Sequence, residues 1–103
     1  MSFKIQYLPF AVQDIDNVAQ YLSQFYPSTA RRVLSKMQQQ IEQLPEFPEM
    51  YAVCESDEFY RQMSVFQYIV FYHVNTEKQT IDIYRVLRAT WNLPEYLEDI
   101  ETE

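Results

Sequence analysis

Residues 59–88 read FYRQMSVFQYIVFYHVNTEKQTIDIYRVLR. β-branched and aromatic residues fill most of the apolar positions, as they do in the strands of a sheet. Two breaks divide the stretch: Phe66-Gln67, which predicts a tight reversal, and the polar segment 75–79, which predicts a longer turn. The stretch therefore predicts three consecutive strands joined as an antiparallel meander.

Arg61 and Arg85 stand at apolar positions of these strands. Because successive side chains of a strand point to opposite faces, each arginine is expected to share a face with apolar neighbours. These neighbours are Met63 and Val65 for Arg61, and Ile81, Ile83 and Leu87 for Arg85. An arginine on such a face needs a partner or a place at the rim of the core. Two interpretations stay open: an architectural pair with a carboxylate across the sheet edge, or a functional site at the rim.

The chain before the meander changes from strand to helix. Residues 2–8 alternate apolar and polar side chains and predict a short strand that ends at Pro9. Helical spacing then predicts a helix over residues 10–25 and a second one that starts at Ser28 as N-cap and ends at Leu44-Pro45. The turn between the helices is short, which predicts an αα-hairpin.

The order of these elements predicts an α+β fold. It is β-α-α-β-β-β, with a further short edge strand expected over residues 50–53, and the αα-hairpin packs on one face of a mostly antiparallel sheet. The other sheet face is expected to be partly open. A short C-terminal helix is predicted over residues 95–100. Residues 1–103 make a single domain, with an acidic tail from about residue 95.

Composition excludes several classes of protein. The only cysteine, Cys54, rules out an intramolecular disulfide and a multi-cysteine metal site. Glycine is absent, which rules out a Gly-rich phosphate loop. No apolar run is long enough for a signal peptide or a membrane span. We therefore expect a cytoplasmic protein without a metal, a cofactor or a membrane partner.

The net charge of −7 is unevenly distributed. Residues 95–103 contain five acidic side chains and no basic one, whereas the rest of the chain is close to neutral. A negative chain is disfavoured as an indiscriminate phosphate binder. The acidic tail is either a frayed, solubilising terminus or a segment that folds over the arginine rim of the same molecule.

Six features of the chain, in this order, are similar to those of one known superfamily. They are the helix FAVQDIDNVAQYL (10–22); Pro27 and Ala30 with Ile41, Leu44 and Pro48 in the second helix and its exit; Arg61; YIVFY (68–72); IYRVL (83–87); and Leu93-Pro94. Together they resemble the RelE/ParE superfamily, the toxins of bacterial type II toxin–antitoxin modules, over about residues 7–97.

The resemblance implies a growth-inhibiting, plasmid-stabilising toxin whose partner is a cognate antitoxin. Members similar to ParE inhibit DNA gyrase by binding it, and members similar to RelE cut messenger RNA on the ribosome. The IYRVL and Leu93-Pro94 motifs favour the ParE-like activity. A degenerate, non-toxic member that acts only as a binding module is a further alternative. The antitoxin is expected to lie along the αα-hairpin or the open sheet face as an extended segment or amphipathic helix.

If the chain is an enzyme, the resemblance implies an endoribonuclease. Cleavage through the RNA 2′-hydroxyl needs a base, a proton donor and cations at the phosphate. Arg61 and Arg85 would supply charge, and Tyr72 or His73 would move protons. Tyr72 and His73 are adjacent in one strand and point to opposite faces, so a bulge is needed before both line one pocket. This argues against the ribonuclease.

Six further residues are candidates for binding the target or the antitoxin. They are Arg31, Arg32, Tyr68, Tyr84, Arg88 and Trp91. A structural role is also open for most of them: a solvated helix face for the first two, sheet packing for the tyrosines, and an anchor after the last strand for Trp91. Arg88 is expected on the sheet face opposite Arg85.

Overall fold

Two helices and four strands form the fold in the computed structural model, which describes residues 3–90. The strands are β1 (Lys4–Tyr7), β2 (Arg61–Val65), β3 (Tyr68–Asn75) and β4 (Thr80–Arg88), and the helices are α1 (Pro9–Phe25) and α2 (Pro27–Gln43). The order β1-α1-α2-β2-β3-β4 confirms the predicted α+β class. Within residues 3–90 no helix is long and apolar enough to cross a membrane. The expected C-terminal helix and Trp91 lie outside the described residues.

Both helices begin at a proline. Pro9 and Pro27 suit the first helical position, because their φ is already helical and the N–H they lack would have no partner there. The expected N-cap at Ser28 is therefore wrong. Tyr26 occupies the cap position of α2, without a side-chain hydrogen bond, and the helix starts one residue later.

The strand order in the sheet is β1-β4-β3-β2, so the first strand of the chain pairs with the last. The three later strands form the predicted antiparallel meander. β1 runs parallel to β4 and its pairing ends where Tyr7 lies opposite Ile83. The edge strand expected over residues 50–53 is wrong, since only a single bridge between Val53 and Arg61 forms there.

A bulge in β4 changes which face its residues occupy. The register against β3 shifts by one residue, and Tyr84 is the extra residue of β4. Before the bulge, Ile83 packs in the cluster that contains the helices; after it, Val86 packs there while Leu87 packs on the opposite face. The prediction that Leu87 shares the face of Ile83 is wrong, because strict alternation fails where a residue is inserted.

Each face of the sheet has its own apolar cluster. The main core lies between the helices and the sheet. Its buried members from the helices are Ala11, Val18, Leu22, Ala30, Val33, Met37 and Ile41, and those from the sheet are Met63, Val65, Tyr68, Val70, Tyr72, Ile81, Ile83 and Val86. A smaller cluster on the other face contains Cys54, Tyr60, Phe71 and Leu87. The segment that carries Cys54 and Tyr60 therefore covers part of this second face, which was expected to be partly open.

Candidate functional site

A buried ion pair joins α1 to β4. Arg85 donates from Nε and Nη2 to the two carboxylate oxygens of Asp14, at 2.6 and 2.9 Å. The side chains of Arg85 and Asp14 keep only 10% and 9% of their accessible surface. The guanidinium also lies 5.0 Å from the ring centroid of Phe10, a cation–π contact.

Asp14 takes the place of a strand neighbour for part of β4. β1 ends opposite Ile83, and the N–H of Val86 donates to Asp14 Oδ2 at 3.0 Å. Without that carboxylate, a buried backbone donor would lose its partner. Of the two interpretations for Arg85, the structure shows the ion pair, although the carboxylate comes from a helix and not from across the sheet edge.

Arg61 and His73 line one small pocket of about 200 Å³ beside the ends of β2 and β3. Arg61 Nη1 donates to the carbonyl oxygen of Tyr51 at 2.7 Å. The His73 ring stacks on Phe59 with 3.8 Å between centroids, and its Nδ1 lies 2.9 Å from the Phe59 carbonyl oxygen. These two are the members of the predicted catalytic set that the structure brings together.

Tyr72 is fully buried on the helix side of β3 and is not among the residues that line that pocket. Its hydroxyl donates to the carbonyl oxygen of Pro48 at 3.1 Å. Burial raises its pKa from 10.0 to about 12, and the nearby charge of Arg61 opposes only part of this rise. A bulge in β4 leaves the alternation within β3 intact, so Tyr72 and His73 point to opposite faces as expected.

Exposed aromatic rings and two arginines gather at one end of the molecule. Here α1 ends, α2 begins, and the turn between β2 and β3 lies beside the end of β4. We call this region the arginine–aromatic surface; it consists of Tyr21, Phe25, Tyr26, Arg32, Phe66 and Arg88. The four aromatic side chains are 47% to 59% exposed, which is unusual for so many large rings in one region.

Cation–π contacts hold both arginines of this surface against rings. The guanidinium of Arg88 lies 5.8 Å from the ring centroid of Tyr21, and that of Arg32 lies 6.0 Å from Phe66. Tyr21 in turn packs on Phe25, with 5.3 Å between centroids. Each guanidinium of this surface thus lies against a ring, an arrangement suited to partners that are both anionic and planar or apolar.

A cleft of about 290 Å³ opens between α1 and the end of β4, next to Tyr21 and Arg88. Its lining includes the buried ring of Tyr68, which lies opposite Arg88 in the sheet. Burial raises the pKa of the Tyr68 hydroxyl, and the charge of Arg88 opposes part of that rise. The lining also includes Asp14, whose carboxylate is already bound by Arg85.

Arg88 lies on the helix side of the sheet, over Tyr21. The guanidinium groups of Arg85 and Arg88 both reach α1, although the two residues are three positions apart in β4. The bulge at Tyr84 puts Arg88 on the side of the sheet that Ile83 occupies, because it changes the parity of later β4 residues relative to Ile83.

The other predicted binding residues are separate from this cleft. Arg31 is exposed on α2. Tyr84 packs edge-on against Phe59 and Tyr60 on the opposite sheet face, and burial raises the pKa of its hydroxyl. Within residues 3–90 no group of three His, Cys, Asp or Glu side chains gathers as a metal site requires.

Four residues of the arginine–aromatic surface were not among the predicted site residues. They are Tyr21, Phe25, Tyr26 and Phe66. A signal for two of them exists in the sequence, because Phe25 and Tyr26 stand at the break between two helices, where polar residues are usual. Phe66 gives a similar signal, since an aromatic residue occupies a two-residue turn. Helical periodicity alone gives no reason to single out Tyr21.

The fold is shared with chains of solved toxin–antitoxin systems. A chain of the chromosomal ParDE system from P. aeruginosa has a TM-score of 0.71 at 16% identity, covering 84% of this chain and 96% of that chain. A free E. coli RelE toxin carrying two arginine-to-alanine substitutions has a TM-score of 0.67 at 13% identity, covering 99% of this chain and 98% of that chain. A chain of the M. tuberculosis RelBE2 toxin–antitoxin complex has a TM-score of 0.58 at 14% identity, covering 85% of this chain and 99% of that chain. Identities this low establish the fold alone.

The match that reaches beyond the fold is to a family model. Among curated proteins, none matches the chain. The model described as the ParE toxin of the type II toxin–antitoxin system parDE matches residues 5–91. The match extends from β1 to just beyond β4 and confirms the superfamily that the motifs indicated. The chain therefore belongs to the family of ParE toxins of type II toxin–antitoxin systems.

Proposed function

We propose that the protein inhibits DNA gyrase by binding it, in the cytoplasm, and that a cognate antitoxin neutralises it. The observation that carries this proposal is the separation of the predicted catalytic residues. Tyr72 and His73 point to opposite faces of the sheet, and Arg85 is held by Asp14 on the helix side. A binding toxin needs no such set, whereas RNA cleavage needs its base, acid and cations at one phosphate.

The buried hydroxyl of Tyr72 supports the same proposal. Its hydrogen bond to Pro48 and its pKa of about 12 keep it protonated and occupied near neutral pH. A general acid or base acts best with a pKa near the working pH and within hydrogen-bond reach of the substrate. Tyr72 meets neither condition in this geometry.

The arginine–aromatic surface supplies the binding capacity that the proposal requires. Arg88 and Tyr21 flank the cleft between α1 and β4, and aromatic side chains and arginine are the residues most enriched at the centres of protein interfaces. We place gyrase contact at this surface. The predicted target-binding residues Arg32, Tyr68 and Arg88 all lie on it or in its cleft.

The antitoxin has a separate candidate position on the αα-hairpin. A groove of about 520 Å³ runs between α1 and α2. Its apolar lining residues include Val12, Ile15, Leu34, Met37 and Ile41. An amphipathic helix is the partner that such a groove accommodates.

A RelE-like ribonuclease is the second candidate, because of the pocket around Arg61 and His73. The same pocket is lined by Glu49 and Glu58. An imidazole, a guanidinium and two carboxylates around one cavity are suitable groups for acid–base chemistry on a phosphate ester. This site would act without Tyr72 or Arg85.

Induction of the chain without its antitoxin tests the proposal. We expect growth to stop and DNA synthesis to fall before protein synthesis, as followed by pulse-labelling with thymidine and methionine. Protein synthesis that falls first, together with cut messenger RNA, would favour the ribonuclease. Normal growth with soluble protein present would contradict both candidates and favour a non-toxic binding module.

One variant separates the two candidates. His73→Ala removes a group from the small pocket and leaves the arginine–aromatic surface intact. We expect toxicity to persist in His73→Ala if the chain acts by binding gyrase. Its loss in His73→Ala, with the melting temperature unchanged, would support the ribonuclease instead.

A further inference from the structure

The arginine–aromatic surface is locally positive in a chain whose net charge is −7. Within residues 3–90, Arg32 and Arg88 have no carboxylate partner, and each lies against an aromatic ring instead. Among the described residues that line the cleft, the acidic one is Asp14, and it is engaged by Arg85. Exposed rings beside cations without acidic partners form a surface for a ligand that is both anionic and partly apolar.

A segment with this chemistry follows directly in the chain. Arg88 is the last residue of β4, and residues 91–103 continue from there. From residue 95 onward this segment contains five acidic side chains and no basic one, with Tyr96, Leu97 and Ile100 between them. An extended residue spans about 3.3–3.6 Å, so Glu95 reaches up to about 18 Å from Thr90. The surface around Arg88 lies within that reach.

We propose that residues 91–103 dock on the arginine–aromatic surface of the same molecule. Their carboxylates would pair with Arg32 and Arg88, and their apolar side chains would cover the exposed rings. A short tether gives an effective concentration in the millimolar range, so a contact that is weak between separate molecules is well populated within one chain. The docked segment would compete with other anionic ligands for this surface.

Nucleic acid is the other class of ligand for such a surface, and the overall charge disfavours it. Affinity for phosphates rises with the number of cations presented, and a net charge of −7 repels a polyanion. An acidic segment of the same chain avoids most of that long-range repulsion, because it is already attached. The chain itself therefore supplies the favoured occupant.

Arginine side-chain NMR on the full chain tests the docking and does not depend on toxicity. The test variant replaces the five tail acids by amides: E95Q, E98Q, D99N, E101Q and E103Q. We expect the Nε–Hε resonances of Arg32 and Arg88 to differ between the wild type and this variant at low salt. The difference should shrink at high salt, since exposed charges are screened within a few ångströms at molar ionic strength.

A matched control changes the net charge by the same amount elsewhere. It carries E42Q, E46Q, E49Q, E55Q and E58Q and keeps the tail acidic. We expect its Arg32 and Arg88 resonances to match those of the wild type. Equal changes in both variants would overturn the proposal, because they would indicate a long-range effect of charge and not a contact.

A synthetic peptide of residues 91–103 provides the second measurement. Added to the tail-amide variant, it should move the Arg32 and Arg88 resonances toward their wild-type positions. Identical resonances in the wild type and the tail-amide variant, or peptide-induced shifts confined to the groove between α1 and α2, would overturn the docking. Equal binding of a short oligothymidylate at Arg88 in both chains would also overturn it, because the surface would then be open in the wild type.

Discussion

The pairing of β4 with β1 ends at Ile83, and beyond it the ion pair of Asp14 and Arg85 lies beside β4 in place of a strand. Two charge-assisted hydrogen bonds and one backbone N–H end on a single carboxylate. Removing one partner of such a buried pair leaves the other charge without compensation, which typically destabilises a protein by about 3–5 kcal/mol. A loss of toxicity in an Arg85 variant would therefore be explained first by unfolding and not by the loss of a functional site.

We expect Arg85→Ala to lower the free energy of unfolding by about 3 kcal/mol, measured by urea denaturation. Asp14→Ala should have an effect of similar size, because it also removes the hydrogen-bond acceptor of the Val86 N–H. The double variant should lose less than the sum of the two, since the sites are directly coupled. Asp16→Ala, at an exposed position of the same helix, is the control and should change stability by less than about 0.5 kcal/mol. A loss below about 1 kcal/mol for Arg85→Ala would contradict this role of the ion pair.

Tyr72 makes stability depend on pH in the alkaline range. Its pKa is about 12 in the folded protein against 10.0 for a free tyrosine, so the unfolded chain loses this proton first. The stabilisation from the neutral hydroxyl is complete below pH 10 and is lost as the pH rises through 12. The loss amounts to at most about 1.4 kcal/mol per pH unit.

Tyr72→Phe removes this dependence. Between pH 10 and 12, we expect the stability of the variant to fall less steeply than that of the wild type. Urea denaturation of both proteins at several pH values gives the two slopes, and the other tyrosines cancel in the comparison. Parallel slopes would show that the Tyr72 hydroxyl ionises normally.

The amino-acid sequence indicates which residues need partners, but not which partners they have. The apolar neighbours of Arg61 and Arg85 showed that each guanidinium must be satisfied. The partner of Arg85 lies 71 residues away in α1, and that of Arg61 is a backbone carbonyl at Tyr51. The local periodicity of the sequence indicates neither of these partners.

Turns without glycine connect the strands of the meander. The chain contains no glycine, and Phe66 and Gln79 take up positive φ values of 55° and 57° in the two turns. The left-handed region disfavours residues that carry a Cβ by about 1–2 kcal/mol. These two turns therefore store strain that a glycine would release.

Gln79→Gly should raise the free energy of unfolding by about 0.5–1 kcal/mol. The gain is smaller than the full strain, because the bond from the Gln79 side chain to the carbonyl oxygen of Thr76 is lost. Gln62→Gly in the regular strand β2 is the control and should lower stability by up to about 1 kcal/mol. Thermal melting of both variants measures the two effects, and a lower melting temperature for Gln79→Gly would contradict the strain.

The helices and the strands follow from periodicity, whereas the bulge in β4 and the pairing of β1 do not. Alternation predicts β2, β3 and β4, but the bulge at Tyr84 is invisible to it and reverses the face of Arg88. The parallel pairing of β1 with β4 joins the two ends of the fold, beyond the reach of any local pattern. The same holds for the packing of Cys54 under the sheet, where a polar turn segment supplies a buried side chain.

At the scale of the whole molecule, the family and the charge distribution determine what the protein can bind. The ParE toxin model matches residues 5–91, while the net charge of −7 makes attraction to nucleic acid weak at a distance. The arginine–aromatic surface is the exception, since the exposed Arg32 and the partly exposed Arg88 lie beside aromatic rings there. Membership of the superfamily was predictable from the order of motifs, whereas this surface emerges only once α1, α2 and β4 are packed together.

Arg88→Ala should reduce toxicity at least tenfold in the inducer concentration needed to stop growth. Its guanidinium is partly exposed and contacts Tyr21 within the surface proposed to bind gyrase. Stability should change by less than about 1 kcal/mol, the scale of an exposed cation–π contact. Arg31→Ala is a suitable comparison, because it removes an exposed arginine outside that surface. Full toxicity in a well-folded Arg88→Ala would place the target elsewhere.

We propose that this toxin acts by binding gyrase and not by cutting RNA. The most direct test of this proposal is the supercoiling of relaxed plasmid by purified gyrase in the presence of the purified protein. A parallel cell-free translation reaction with the same protein should be analysed for cut messenger RNA. We predict inhibition of supercoiling, unchanged in His73→Ala, with intact messenger RNA. Undisturbed supercoiling together with ribosome-dependent cleavage that His73→Ala abolishes would contradict the claim.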